Sequence, residues 1–271
     1  MPEFLNKGNL NRYGEWALVA GAAEGIGEAF ALALAKKRMN LVMVDFNAEA
    51  MQILAERMKK TYNVGIIKIE QDLSEKDAWM NCMKAIRDLD CRLLVYTPAY
   101  SKIKEFLSNS PDELDKYIDL NARTPIHFIH AFISSVKDKK PAGIILMSSL
   151  AGLIGPPYSA PYAATKAFNI VLGESLDSEF REKGIDITVC CAGQTSTPTF
   201  LSSNPSVGNW PCVMNPSDVA EYTMKNLGKK AICIPGWKNR VSYFLLTHLF
   251  SRKSAARIVC KSMKGIYKIN D

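Results

Sequence analysis

The sequence predicts an α/β protein: a doubly wound, parallel seven-stranded sheet with helices on both faces. Three observations carry this. Short β-rich apolar runs alternate with longer helical stretches along most of the chain, which implies parallel strands joined by crossover helices. A glycine-rich turn, Gly21-Ala22-Ala23-Glu24-Gly25-Ile26-Gly27, separates the first strand from the first helix. The length, 271 residues with 48% hydrophobic and 23% charged, suits one α/β domain whose core needs neither disulfides nor metals. No low-complexity segment, solenoid repeat or interdomain linker interrupts it, so residues 1–271 read as one domain.

The elements follow in order. Trp16–Ala20 reads as a strand and Gly25–Arg38, rich in Ala and Leu, as a helix. Leu41–Asp45 is a second strand before a helix over Ala48–Lys60. Ile66–Ile69 is a third, with a helix near Ser74–Arg87. Leu93–Thr97 is a fourth, and Pro111–Val136 is mostly helical, with Pro125 expected to bend or interrupt it. Ile144–Ser148 is a fifth strand, followed by a long helix, Pro161–Lys183, that ends at Gly184. Ile185–Cys191, a helix over Ser217–Asn226 and a short strand, Ala231–Pro235, complete the pattern. About 193–215 is the exception: Gly, Ser, Thr, Pro and Asn dominate, with Phe200, Leu201 and Trp210 interspersed. A segment of that length without regular structure is usually functional or disordered, and the apolar anchors argue for a lid over a site.

Composition excludes several classes. Seven cysteines show no CxxC pair, no zinc spacing and no disulfide framework, which predicts reduced thiols. His127 and His130 lie three apart on a helix without a third ligand nearby, so no metal is expected. The N-terminus is polar and no apolar run is long enough to span a bilayer, which predicts a cytoplasmic protein. The net charge of +7 is uneven. Lys225 to Asp271 holds eleven Lys and Arg against one Asp, so the rest of the chain is slightly negative. A solvated basic surface explains this better than nucleic acid, which wants cations across a defined face.

The chemistry-bearing residues are more specific. Glycines at 21, 25 and 27 let the chain turn tightly and bring backbone N–H groups to an anion, while the following helix aims its positive end at a pyrophosphate. Asp45, at the end of the second strand, can accept a ribose 2′-hydroxyl and would repel a 2′-phosphate. No Lys or Arg lies among residues 22–24 and Phe46 follows Asp45, which also favours NAD over NADP. Tyr162 and Lys166, four apart, share one helix face. An ammonium beside a phenol lowers its pKa and lets it exchange a proton with a substrate oxygen near neutral pH. Ser149, 13 residues before Tyr162, can hold that oxygen.

Together the GAAEGIG turn, Ser149 and Tyr162-Ala-Ala-Thr-Lys166 resemble the short-chain dehydrogenase/reductase family over roughly residues 15–235. The resemblance implies a Rossmann-like fold and an NAD-dependent enzyme. It casts Tyr162 as general acid/base, and Lys166 as its modulator and a ligand of the nicotinamide ribose. Ser149 would orient the substrate, and Asn121 would support a water relay to the lysine. Cofactor contacts are implied for Gly21, Glu24, Gly25, Ile26, Gly27, Asp45, Asp72, Leu73, Gly193, Thr195 and Thr197. Two segments depart from the family pattern: Tyr96-Thr97-Pro98-Ala99 replaces Asn-Asn-Ala-Gly, and Ala192-Gly193 replaces Pro-Gly. The first puts local geometry in doubt; the second keeps the glycine.

An apolar pocket, with Tyr158, Phe200 and Trp210 beside Ser149 and Tyr162 as substrate contacts, points to a hydrophobic ketone or alcohol. The mixture is similar to hydroxysteroid dehydrogenases and long-chain ketoacyl or ketone reductases of lipid metabolism. The basic tail, about 239–271, suits three roles: a surface helix on an anionic membrane, a cap over the pocket, or packing on another subunit. The resemblance implies a homodimer or homotetramer. The competing reading is a catalytically silent, NAD-binding regulatory or interaction protein on the same fold.

Overall fold

The computed structural model describes residues 10–206 and 213–267. Seven strands form one sheet: β1 (Trp16–Ala20), β2 (Asn40–Asp45), β3 (Ile66–Glu70), β4 (Cys91–Tyr96), β5 (Ala142–Ser149), β6 (Ile185–Ala192) and β7 (Ile232–Cys233). Every pairing is parallel, in the order β3-β2-β1-β4-β5-β6-β7. The order reverses between β1 and β4, which opens a crevice at the carboxyl ends of these two strands.

Alternate residues of each strand feed two cores. Ala17, Val19, Leu41, Met43, Leu93, Val95 and Ile145 face α1 (Gly25–Lys36), α2 (Ala48–Tyr62) and α8 (Pro216–Asn226). Leu18, Ala20, Val42, Val44, Leu94, Tyr96, Ile144 and Leu146 face α3 (Ala78–Ala85), α5 (Thr124–Val136) and α6 (Ala160–Phe180). Both faces are covered, so the strands need apolar residues at every position and read as runs.

The expected break near Pro125 takes a specific form. Helix α4 (Pro111–Ile118) starts with a capping box from Ser110 and Glu113. A π-helical turn, Asp119–Arg123, then joins it to α5. Pro125 lies in the first turn of α5, so the break precedes the proline. Lacking an N–H, Pro125 cannot serve the carbonyls one turn back. Two of these accept from side chains: Leu120 from Tyr96 Oη at 2.8 Å and Asn121 from Asn169 Nδ2 at 3.0 Å. The wide turn thus ties α5 to β4 and α6.

Within the segment expected to be a lid, the described residues carry regular structure. A parallel bridge between Thr195 and Met214 closes its neck, and α7 (Pro198–Ser202) forms within it. The tail folds as two helices, α9 (Trp237–His248) and α10 (Arg252–Tyr267). Among the described residues, no helix is long and apolar enough to cross a membrane.

Helix α6 packs tightly on the sheet at Gly173, where an added Cβ would stand 2.0 Å from Val189 Cγ2. Gly173→Ala is expected to destabilise the fold by about 1–3 kcal/mol through overpacking. In urea titrations Val189→Ala should relieve much of that cost; strictly additive losses would show that this contact does not limit the packing.

Candidate active site

The glycine turn lies at the mouth of the crevice and is held by contact. Gly21 and Gly25 have φ values of +73° and +60°, accessible to glycine at little cost. An added Cβ at Gly27 would fall 1.7 Å from the Gly21 carbonyl oxygen, so no other residue fits. Glu24, the N-cap of α1, makes no side-chain cap bond, and the first turn of the helix faces the crevice without one. Ile26 packs against the first core. These features fit a pyrophosphate held by backbone amides.

The departure at 96–99 keeps a structural job. Thr97 Oγ1 donates to the carbonyls of Ala20 and Gly21 at 2.7 and 3.1 Å, tying β4 to the turn. Asp45 Oδ2 accepts from Ala23 N at 2.9 Å and Oδ1 from Asn47 N at 3.0 Å. Glu24 Oε1 accepts from Asn47 Nδ2 at 3.2 Å, which sets a second carboxylate beside Asp45. Asp72 closes a local turn by accepting from Ser74 N and Oγ at 2.8 and 2.7 Å, and buried Leu73 offers its carbonyl to Thr124.

Three of the four predicted catalytic residues gather where the end of β5 meets α6, and Asn121 reaches that helix through Thr165. Ser149 is its last residue, and its Oγ accepts from Ala151 N at 3.2 Å. The following turn lies directly on α6: a Cβ at Gly152 would stand 2.6 Å from the Lys166 carbonyl carbon. That contact sets Ser149 beside the helix that carries Tyr162 and Lys166. Lys166 is 2% exposed, its Nζ donating to the Met147 carbonyl at 3.0 Å and lying 5.6 Å from the Tyr162 ring centroid. Asn121 is fully buried and spans two elements. Its Oδ1 accepts from Tyr100 N at 2.7 Å; its Nδ2 donates to Tyr100 O at 2.9 Å and Thr165 Oγ1 at 3.1 Å. It clamps the loop after β4 to the helix that carries Tyr162.

One expectation is corrected. The phenol was expected below its ordinary pKa, yet burial pushes Tyr162 up to about 12, with the Ser149 hydrogen bond opposing and Tyr267 adding to the rise. Burial likewise drives Lys166 down to about 8, with Cys191 and Cys190 opposing. Loss of water is the largest cause of both shifts.

The far wall is built from the lid and tail. Thr197 caps α7, accepting from Phe200 N at 3.2 Å, and its methyl sits 3.0 Å from where a Gly25 Cβ would be. Thr195 is buried, with Oγ1 donating to Gly193 O at 3.0 Å. The close approach at Gly193 is made by Asn239, whose Nδ2 lies 2.6 Å from a would-be Cβ. Tyr158 holds φ +61° and its carbonyl accepts from Lys104 N at 2.8 Å. Phe200 is half-buried, while Trp210 lies outside the described residues. Gly152, Asn169, Asn239 and Tyr267 were not expected here. Gly152 left a trace in sequence, a glycine three residues after Ser149; the others act through contacts between distant segments. His127 stacks on Trp79 with centroids 6.1 Å apart, and among the described residues no metal-binding cluster forms.

A glycine turn at a strand reversal, with Ser149 at the end of β5 and Tyr162 and Lys166 on the helix packed beside it, defines a nicotinamide-dependent oxidoreductase. The family model described as short chain dehydrogenase matches residues 15–207, and the chain belongs to that family. It is 32% identical over 230 residues to the 7beta-hydroxysteroid dehydrogenase of Clostridium sardiniense, covering 84% of this chain and 88% of the other. It is 27% identical over 260 residues to the very-long-chain 3-oxoacyl-CoA reductase of Lodderomyces elongisporus, covering 89% and 73%. A solved structure, described in a study of 7beta-hydroxysteroid dehydrogenase stereoselectivity, superposes with a TM-score of 0.86 at 26% identity. It covers 93% of this chain and 99% of its own.

The Lys166 shift has a measurable consequence. Its pKa falls from 10.5 unfolded to about 8 folded. Between these values the unfolded chain binds the extra proton, so the lysine makes stability rise with pH across that window. The unfolding free energy of the native protein minus that of Lys166→Met should therefore climb from pH 8 to 10.5; a flat difference would mean the ammonium is not penalised by burial.

Proposed function

We propose that the protein is an NAD(H)-dependent oxidoreductase. It interconverts a secondary alcohol and a ketone on a hydrophobic substrate of the steroid or long-chain ketone or ketoacyl type, with Tyr162 as general acid/base. The observation that carries this is the packing of the turn after Ser149 onto α6, where buried Lys166 lies with its Nζ 5.6 Å from the Tyr162 ring centroid. A nicotinamide cofactor, which the glycine turn and Asp45 would hold, would supply or accept the hydride. For reduction, Ser149 holds the carbonyl oxygen and Tyr162 Oη gives it a proton; for oxidation, the same oxygen takes the alcohol proton. The raised pKa keeps Tyr162 protonated, ready to act as the acid. A cationic Lys166 would favour the phenolate that remains. Asn121 serves as a positioning residue, because its amide is committed to Tyr100 and Thr165.

The cofactor preference rests on charge. Asp45 and Glu24 line the adenosine end of the turn, and each Asp45 oxygen keeps a lone pair beyond its backbone bond. Ribose hydroxyls can use these lone pairs, whereas a 2′-phosphate meets two carboxylates. The relatives' names support the substrate class, and half-buried Leu150, Leu153 and Phe200 give it apolar walls. Homo-oligomerisation through α5 and α6 is supported by exposed Ile126, Phe168 and Val171.

Purified protein should turn over steroid or long-chain ketones with NADH, preferring it to NADPH by about tenfold or more, some 1.4 kcal/mol. Tyr162→Phe should lower turnover by at least about 10²-fold while NADH binding is unchanged. Retained activity in Tyr162→Phe would sink the mechanism, and NADPH preference would sink the Asp45 argument alone. NADH binding without turnover of any of these ketones would favour the silent regulatory reading.

A second reading, a lipid-pathway reductase at an anionic membrane surface, has one specific support. Helix α9 exposes Trp237, Val241, Phe244 and Leu245 along one side, with Leu249 and Phe250 beyond. Lys238, Arg240, Arg252, Lys253, Arg257 and Lys261 flank them, and no acidic residue occurs between Glu221 and Asp271. Two copies meeting through this face would oppose like charges, whereas anionic lipid complements it. The protein should co-sediment with phosphatidylserine vesicles but not with phosphatidylcholine vesicles, and Trp237→Glu/Phe244→Glu should abolish that. Equal binding to both, or a dimer broken by the same changes, would exclude it.

A further inference from the structure

The segment after β6 is gripped from the tail by a single amide. Ala192 pairs with Ser149 in the register of β5 and β6, so Gly193 follows directly beside that serine. The chain then runs to Thr197, whose methyl sits 3.0 Å from where a Gly25 Cβ would be. Residues 193–197 therefore reach from beside Ser149 to the glycine turn. Met214 closes this neck: its N donates to the Gln194 carbonyl at 2.9 Å, and its carbonyl accepts from Ser196 N at 2.9 Å. Asn239, in the first turn of α9, touches both sides of the neck. Its Nδ2 donates to Met214 Sδ at 3.4 Å and stands 2.6 Å from a would-be Gly193 Cβ. The same Nδ2 donates to the Pro235 carbonyl at 3.0 Å, which fixes it to the start of its own helix.

We infer that Asn239 is a positioning residue for the reacting end of the cofactor. It holds the neck where a nicotinamide reaching from the glycine turn towards Ser149 and Tyr162 would meet it. This rests on the proposed oxidoreductase reading only for its nicotinamide cofactor, not for the substrate or the choice between NADH and NADPH. Two glycines bring the amide between the segments. Gly193 leaves it room, and Gly236, the N-cap of α9 at φ +82°, lets the chain turn in, where an added Cβ would stand 2.7 Å from Met214 Sδ. At 4% exposure, a partner that the amide loses is not replaced by solvent. With Asn239 at one end and Gly25 against Thr197 at the other, the neck is held in one conformation. The adenosine end has its own supports, because Asp45 is held by Ala23 and Asn47, and Glu24 by Asn47.

The test is calorimetric titration of native protein, Asn239→Ala and Asn239→Ser. Each is titrated with whichever of NADH and NADPH native protein binds more tightly, and with the same nucleotide lacking nicotinamide, ADP-ribose or its 2′-phosphate. Serine keeps a donor for the Pro235 carbonyl one turn back but cannot reach the neck. Both variants should weaken binding of the whole cofactor at least about fivefold, the worth of one hydrogen bond, and leave the nicotinamide-free nucleotide within about twofold of native. A thermal midpoint close to native shows that a variant is folded; if Asn239→Ala does not fold, Asn239→Ser alone decides. Equal weakening of both nucleotides, native binding in Asn239→Ser, or failure of both variants to fold overturns the inference. Each of these leaves the Tyr162 mechanism intact, since that fails instead on retained activity in Tyr162→Phe. Native protein that binds neither NADH nor NADPH overturns the inference together with the nicotinamide reading.

Discussion

The contact between Gly27 and the Gly21 carbonyl governs the architecture of the site. With no room for even one methyl group there, β1 passes into α1 by the shortest available turn, and the helix start lies at the end of the strand. Thr97 fastens the neighbouring strand to the same turn, and Thr197 rests its methyl against Gly25. The anion-binding end of α1, the reversal of strand order and the root of the lid are thereby stacked on one point. Loosening it would displace the cofactor cradle and lid together.

Around this point the catalytic residues are assembled by packing against α6. Gly152 lets the turn after β5 press on the helix backbone at Lys166, and Ser148 Oγ donates to the Lys166 carbonyl at 2.7 Å. Asn121 pulls the loop after β4 onto the same helix, aided by the wide turn preceding Pro125. Lys166 is left 2% exposed and Tyr162 half-buried. Dehydration raises the phenol and lowers the ammonium, so both groups favour their neutral forms. Such a pair suits proton delivery to a developing alkoxide, because little solvent must reorganise as the charge appears.

The tail contrasts with this rigid centre. Helix α10 turns Ala255 and Ile266 inward, while α9 leaves most of its length uncovered and is pinned chiefly through Asn239. The tail's outer side is rich in aromatic and cationic groups.

Much of this was legible in the sequence. The seven strands were readable because a sheet covered on both faces demands uninterrupted apolar runs, and the glycine turn because its steric requirement admits only glycine. Tyr162, Lys166 and Ser149 stood out because their spacings are local, one helical turn and one strand-to-helix connection. Other features depended on partners distant in sequence, which no local pattern encodes. Asn239 meets Gly193 across 46 positions of sequence, and Ile266 meets Ser206 only after two helices fold back. The direction of the Tyr162 shift was also hidden, because spacing reveals a neighbouring ammonium but not how much water the fold removes. The sequence by itself determined the sheet, the glycine turn and the candidate site residues; tertiary structure alone decided how those residues are buried and which distant segments pack on them, because burial and long-range packing belong to the folded whole.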